Sequence, residues 1–264
     1  MTAPPGSPPP PESRHLVSIG PSHFCEKARW ALQHAGLAFT EELWVPGLHV
    51  WGVRRAGGQR STPVLVLPDE VISDSTDILG YIQGHPDATW RPYTSEADRR
   101  LEDDFDLRLG PHTRRLAYYH LLKDLKGLRS GADHWVGSTG LQRRLFGLLL
   151  RPIRALMRSS MRINADGAER SLATIDAVFT EVETLLADGR RYLAGPTFSG
   201  ADLTFASLAA PVVLPPTYGA WLPALDATPP AFQEVVATHR ARPAGAFALR
   251  LYAEHRRPRA LLAP

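Results

Sequence analysis

The sequence predicts a small α/β unit followed by a larger all-helical region. Short apolar runs bounded by turn residues alternate with helically spaced stretches, and they do so only before residue 84. Past the prolines Pro86 and Pro92, every apolar pattern repeats at helical spacing. The 264 residues exceed what one small core needs, so two units are expected.

Composition narrows the classes. A single cysteine, Cys25, excludes an intrachain disulfide framework, a CxxC redox pair and a multi-cysteine zinc site, and it points to a reducing, cytoplasmic setting. Thirty basic against 27 acidic residues leave a net charge of +3, which argues against nucleic acid as the main partner. No run reaches the roughly 18 to 20 apolar residues of a membrane span. Residues 1–14, with six prolines, read as a disordered tail and not as a secretory signal.

The elements follow in order. His15–Ile19 is a strand closed by Gly20-Pro21, and Ser22 caps a helix running from His23 to Ala35, stopped by Gly36. Leu37–Trp44 is a second strand, and residues 44–61 read as irregular. Pro63–Leu67 is a buried strand, Val71-Ile72 pairs back, and Asp74 opens a helix through Ile82. This β-α-β, loop, β-β-α order is that of a thioredoxin-like unit, expected over residues 15–84. A linker over 85–96 and a helical domain over 97–264 follow. Within the latter, one helix is expected from about 95 to 125 despite Pro111, a basic one over 140–163 and a third over 166–187. Ser199-Gly-Ala-Asp202 has the form of a capping box and opens another helix.

Three pieces of the first unit bear chemistry. Ser22 lies at a helix N-terminus, where free N–H groups and the helix dipole favour an anion, and its hydroxyl could donate to a thiolate. Thr62-Pro63 heads a buried strand, leaving the Thr62 backbone able to pair with a peptide-like ligand. Asp74-Ser75-Thr76, at another helix start, could clamp an amino acid's ammonium and carboxylate. Taken singly, each is also explained by capping or by a strand-starting proline.

Jointly they are more specific. SHFCEKARWAL is similar to the SPFCxKVRxAL active-site turn of the glutathione transferase superfamily, STPVL to its V-P-x-L strand, and DSTDILGYI to its (E/D)-S-x-x-I-x-x-Y helix. YLAGPTFSGADLTFASL resembles the family's capped helix in the second domain, so the likeness spans about 15–84 and 166–256. Residues 127–165 match nothing in the family pattern.

The resemblance implies a thioredoxin-like glutathione-binding domain, a helical acceptor domain, a homodimer and conjugation of glutathione to small hydrophobic electrophiles, a detoxification chemistry without a metal. Ser22 takes the place of the thiolate-stabilising hydroxyl. Cys25 sits at the resolving position of the glutaredoxin motif, where a lowered pKa would allow thiol transfer; a buried packing role is equally open. Thr62 and Pro63 would hold the cysteinyl unit, and Asp74 and Ser75 the γ-glutamyl group. Ser61 stands where many relatives have lysine, so Arg60, with Gln59 beside it, is the candidate cation for the glycine carboxylate. His23, Phe24, His112, Tyr118 and Tyr119 are the candidate walls of the acceptor pocket. A non-catalytic binding protein of the same fold is the remaining alternative.

Other signals are weaker. No hydrolase elbow, P-loop or dinucleotide fingerprint occurs, and His112 and His120, although able to share a helix face, read as solvated or packed side chains and not as a metal site. Residues 142–162 carry Arg143, Arg144, Arg151, Arg154, Arg158 and Arg162 with no acid, their apolar residues fall largely on the opposite face, and Pro152 is expected to interrupt the stretch. Packing with a solvated arginine face is the plain reading, contact with an anionic membrane surface the sharper one.

Overall fold

The computed structural model describes residues 14–124 and 140–256. The proline-rich segment read as a disordered tail lies outside the described residues, except for Arg14, and so does the stretch 125–139.

The first unit comprises β1 (His15–Ser18), α1 (His23–His34), β2 (Thr40–Leu43), α2 (His49–Arg55), β3 (Val64–Val66), β4 (Val71–Ser73) and α3 (Ser75–Gly84). The sheet order is β2-β1-β3-β4, with β1 parallel to β2 and antiparallel to β3, and β3 antiparallel to β4. Alternation along the strands divides their side chains between two cores. Leu16 opposes Leu65, and both bury with Ala28, Leu32, Ile78 and Leu79 of α1 and α3. Val17 opposes Val64 on the other face, against Trp44 and Val53.

The second unit comprises α4 (Glu96–Arg108), α5 (Gly110–Leu121), α6 (Gly140–Ser160), α7 (Ala165–Leu186), α8 (Gly200–Val213), α9 (Pro230–Ala241) and α10 (Pro243–His255), with a 3₁₀ turn at Leu225–Ala227. Helix α8 is buried along nearly its whole length, and α1, α4, α5 and α10 pack around it. Its Phe205 meets Phe105, Phe179 and Phe247. The capping box expected at its start is present: Asp202 accepts hydrogen bonds from the backbone N–H groups of Leu193 and Ser199, each at 2.9 Å. Among the described residues, no helix is long and apolar enough to cross a membrane.

The structure corrects four expectations. Residues 44–61 are not wholly irregular: α2 forms there because Val53 can bury against Trp44 and Val64, a tertiary contact with no local signature. The second strand is shorter than 37–44, pairing only over Thr40–Leu43. The helix expected over 95–125 is two helices, broken at Leu109. Pro111 has no N–H to continue the ladder and sits instead in the first turn of α5. At the break, Gly110 lets the Phe24 ring approach to where a Cβ would stand.

The fourth correction concerns the basic helix. Pro152 does not interrupt α6, and the apolar residues do not share one side. Phe146 and Leu150 are buried with Ile153 and Met157 against them, whereas Leu148 (79% exposed) and Leu156 (65%) face solvent. Pro152 falls on this exposed side, where the carbonyl it leaves unbonded can be hydrated.

Candidate functional site

The site is assembled where three loop-to-helix or loop-to-strand junctions converge on the sheet. The first is the N-terminus of α1. Ser22 is its N-cap: the backbone N–H of Cys25 donates to Ser22 Oγ at 3.4 Å, and that of Ser22 donates to the Ile19 carbonyl at 3.1 Å. With the oxygen already accepting, the Ser22 O–H remains available to donate outward.

Cys25 lies one turn on and is fully buried. Its Sγ accepts from the Ile19 N–H at 3.4 Å. Burial pushes the thiol pKa up; hydrogen bonding by Ile19, Ser22 and Thr62 and the Arg29 charge pull it down without offsetting that effect. The lowered pKa expected from its place in the first turn is therefore absent, because desolvation of a thiolate outweighs the helix terminus.

The second junction is Thr62-Pro63, joined by a cis peptide bond. The third is Asp74, the N-cap of α3, at φ 104°, with Oδ1 accepting from the Thr76 N–H at 2.9 Å. A hydrogen bond from the Asp74 N–H to the Pro63 carbonyl at 3.3 Å ties the second junction to the third. Asp74 is exposed, while Ser75 is buried and its Oγ has no hydrogen-bond partner.

Behind these junctions, buried Lys27 of α1 reaches Thr76 at 3.1 Å, Asp106 at 2.7 Å and Glu102, locking α1, α3 and α4 together. Arg60 and Gln59 are exposed. The Arg60 charge reaches His49, whose pKa is lowered first by burial and then by that charge.

Beside the α1 N-terminus opens a cavity of about 210 Å³, walled by Pro21, His23 and Pro46 of the first unit, by α5 and α6, and by the turns between α8 and α9. Of the candidate walls, His23 and Tyr118 line it. His23 is buried, with Nε2 2.9 Å from the Gly110 carbonyl, so that nitrogen carries the proton. Burial, reinforced by the Arg114 charge, lowers its pKa to about 3. Burial likewise pushes the Tyr118 phenol up.

Phe24, His112 and Tyr119 lie elsewhere: Phe24 packs at Gly110, His112 Nδ1 is 3.2 Å from Ser171 Oγ, and Tyr119 lies under Lys123. His120 contacts Tyr119 and Phe232. Among the described residues, no group of three or more His, Cys, Asp or Glu side chains could hold a metal.

Sequence reasoning passed over Arg114, Tyr218 and Trp221 and placed Arg154 only in the basic stretch 142–162; all four also line the cavity. Arg114 and Tyr118 are four apart on α5, a spacing that could have paired them. Tyr218 and Trp221 sit in a turn-rich stretch with no periodicity to mark them.

The comparisons with known proteins agree with this architecture. Residues 16–90 match the family described as glutathione S-transferase, N-terminal domain, and residues 165–245 match its C-terminal domain. Together the two matches cover more than half of the chain, which belongs to the glutathione S-transferase superfamily. No curated protein matches the chain significantly.

Among solved structures, the glutathione transferase GSTFuA3 from Phanerochaete chrysosporium superposes with a TM-score of 0.59 at 17% identity, over 92% of this chain and 97% of that one. A glutathione S-transferase of Ceriporiopsis subvermispora in complex with glutathione gives 0.55 at 16% identity, over 92% and 96%. The β-etherase LigF from Sphingobium sp. strain SYK-6 gives 0.54 at 17%, over 90% and 99%. At these identities the likeness is one of fold.

Proposed function

We propose that this protein is a glutathione transferase that joins the glutathione thiolate to small hydrophobic electrophiles. The observation that carries the reading is the convergence of Ser22, Thr62-Pro63 and Asp74-Ser75 next to a cavity walled mostly by apolar side chains. Ser22 donates its O–H to the thiolate, and the α1 N-terminus adds its dipole. The Thr62 backbone pairs with the cysteinyl unit, with Pro63 shaping the turn. Asp74 takes the γ-glutamyl ammonium, and the unpartnered Ser75 Oγ its carboxylate. Arg60, with Gln59 beside it, offers a cation to the glycine carboxylate.

His23 and Tyr118 contribute walls for the electrophile. Closeness of the two reactants in one cleft supplies much of the rate. Immobilised-glutathione binding and a conjugation assay on the wild type and Ser22→Ala test this; a wild type that does not bind glutathione at millimolar concentration refutes it. Dimerisation, a cytoplasmic location and a detoxification role belong to the same reading.

Thiol transfer through Cys25 is the weaker reading, since its sulfur is buried and its pKa is raised. Contact with an anionic membrane surface is favoured by one observation: exposed Leu148 and Leu156 run beside the exposed Arg144, Arg151 and Arg158 on α6. Sedimentation with anionic vesicles at low salt tests it, and absence of binding refutes it.

A further inference from the structure

The cavity wall is mostly apolar, contributed by side chains such as Phe146, Leu150 and Met157 of α6 and Leu222 of the following turns. Three charged side chains nevertheless reach it, the cations Arg114 from α5 and Arg154 from α6 and the carboxylate of Asp124, which has an interaction of its own. Both arginines are half-buried. Neither makes a hydrogen bond or an ion pair with a described residue, and the Arg154 Nε is buried without any partner.

The rest of the protein treats such arginines differently. Arg29 and Arg242 pair with carboxylates, Arg240 binds two backbone carbonyls, and Arg115 binds Met161 and Ser171. Withdrawing a guanidinium from water without a hydrogen-bond partner is unfavourable, so two of them on the wall of one mostly apolar cavity mark the place of an anion. Arg114 also lies 5.9 Å from the centre of the Phe24 ring. The nearer field is already felt, as the Arg114 charge acts on both His23 and Tyr118.

We propose that this cavity takes acceptors with an apolar body and a single carboxylate or sulfonate, whose oxygens are bound by Arg114 and Arg154. The planar fork of arginine suits either group. This deepens the reading of the site as a conjugation site by naming the class of electrophile. The anionic group would fix the orientation of the acceptor, while its apolar body fills the space along α6.

The test uses two fluorescent probes differing by one sulfonate, 8-anilinonaphthalene-1-sulfonate and N-phenyl-1-naphthylamine, titrated into the full chain without glutathione. In Arg114→Gln and Arg154→Gln the Kd of the sulfonated probe should rise roughly ten-fold while that of the neutral probe stays within about two-fold. Arg154→Lys, which keeps the charge, should lose less and serves if the glutamine variant folds poorly. Leu148→Ser, on the exposed face of α6, should change neither.

Equal losses for both probes, no loss for the sulfonated one, or a loss in Leu148→Ser overturns the proposal. So does disappearance of the arginine effect when reduced glutathione is present at saturation, since the arginines would then be reading the tripeptide's own carboxylate. Neither probe is an electrophile and conjugation is not measured, so failure of the transferase reading leaves this result standing, and the reverse.

Discussion

Arg256, just past the end of α10, donates its Nε–H to Oε1 of Glu26 in the first turn of α1, 2.7 Å away, with both side chains fully buried. Glu26 also accepts from Arg29 at 2.7 Å and from the backbone N–H of Gly219 at 3.0 Å, and Arg29 forks onto Glu41 of β2. One carboxylate thus joins the helix that presents Ser22, the sheet, the turn bearing Tyr218 and the last helix of the described chain.

Removing either partner leaves an uncompensated buried charge. Glu26→Gln or Arg256→Met should each lower stability by about 3–5 kcal/mol, read from chemical unfolding. Gly219→Ala should be destabilising at the same node, because its Cβ would overlap the Arg256 guanidinium. Losses below about 1 kcal/mol in all three would show that the network carries no net stability.

The Ser22 hydroxyl and the Cys25 thiol separate under substitution. Ser22→Ala should lower glutathione conjugation roughly 10- to 100-fold, the worth of one hydrogen bond to a charged atom. Cys25→Ala should keep most activity at a cost of about 1–2 kcal/mol in stability for the buried sulfur. In the native protein Cys25 should resist thiol reagents and react only on unfolding. A fast native reaction, with activity lost in Cys25→Ala alone, would assign the chemistry to the thiol.

Acid stability should depend on His23. Its folded pKa of about 3 lies below the ordinary 6.5, so between these values the unfolded chain binds the extra proton. Stability therefore falls as pH drops through that window, by up to about 1.4 kcal/mol per pH unit from this group. His23→Gln, which can still donate to the Gly110 carbonyl, should flatten the pH dependence of unfolding between pH 6 and 4 relative to wild type.

The start of α8 offers a stability test that leaves the site untouched. Asp202 holds the N–H groups of Leu193 and Ser199, and Asp202→Ala leaves both buried and unpaired. The expected loss is about 2–5 kcal/mol in unfolding free energy, with glutathione affinity unchanged in the folded fraction.

Much of this was legible along the chain, because the signals are local. Ser22 and Ser199 are hydroxyl caps at true helix starts, and the short apolar runs around Leu16 and Leu65 are real strands. The break at Leu109 was not legible from the spacing of Leu101, Phe105, Leu109 and Leu116, since helical periodicity continues across it. Nor could spacing tell that α6 has two apolar sides: Leu148 and Leu150 look alike in sequence, and only the packing against α5 and Pro46-Gly47 separates them.

Sequence by itself determined the order of strands and helices in the first unit apart from α2, the caps at Ser22 and Ser199 and the three junctions of the candidate site, because propensity, capping and turn chemistry act over a few residues. Tertiary structure alone decided that Cys25 is buried with a raised pKa, that Glu26 meets Arg256 across 230 positions, and that Arg114 and Arg154 face one cavity. Burial, desolvation and charge pairing arise between segments distant in the chain, and no local pattern encodes which distant group a side chain will meet.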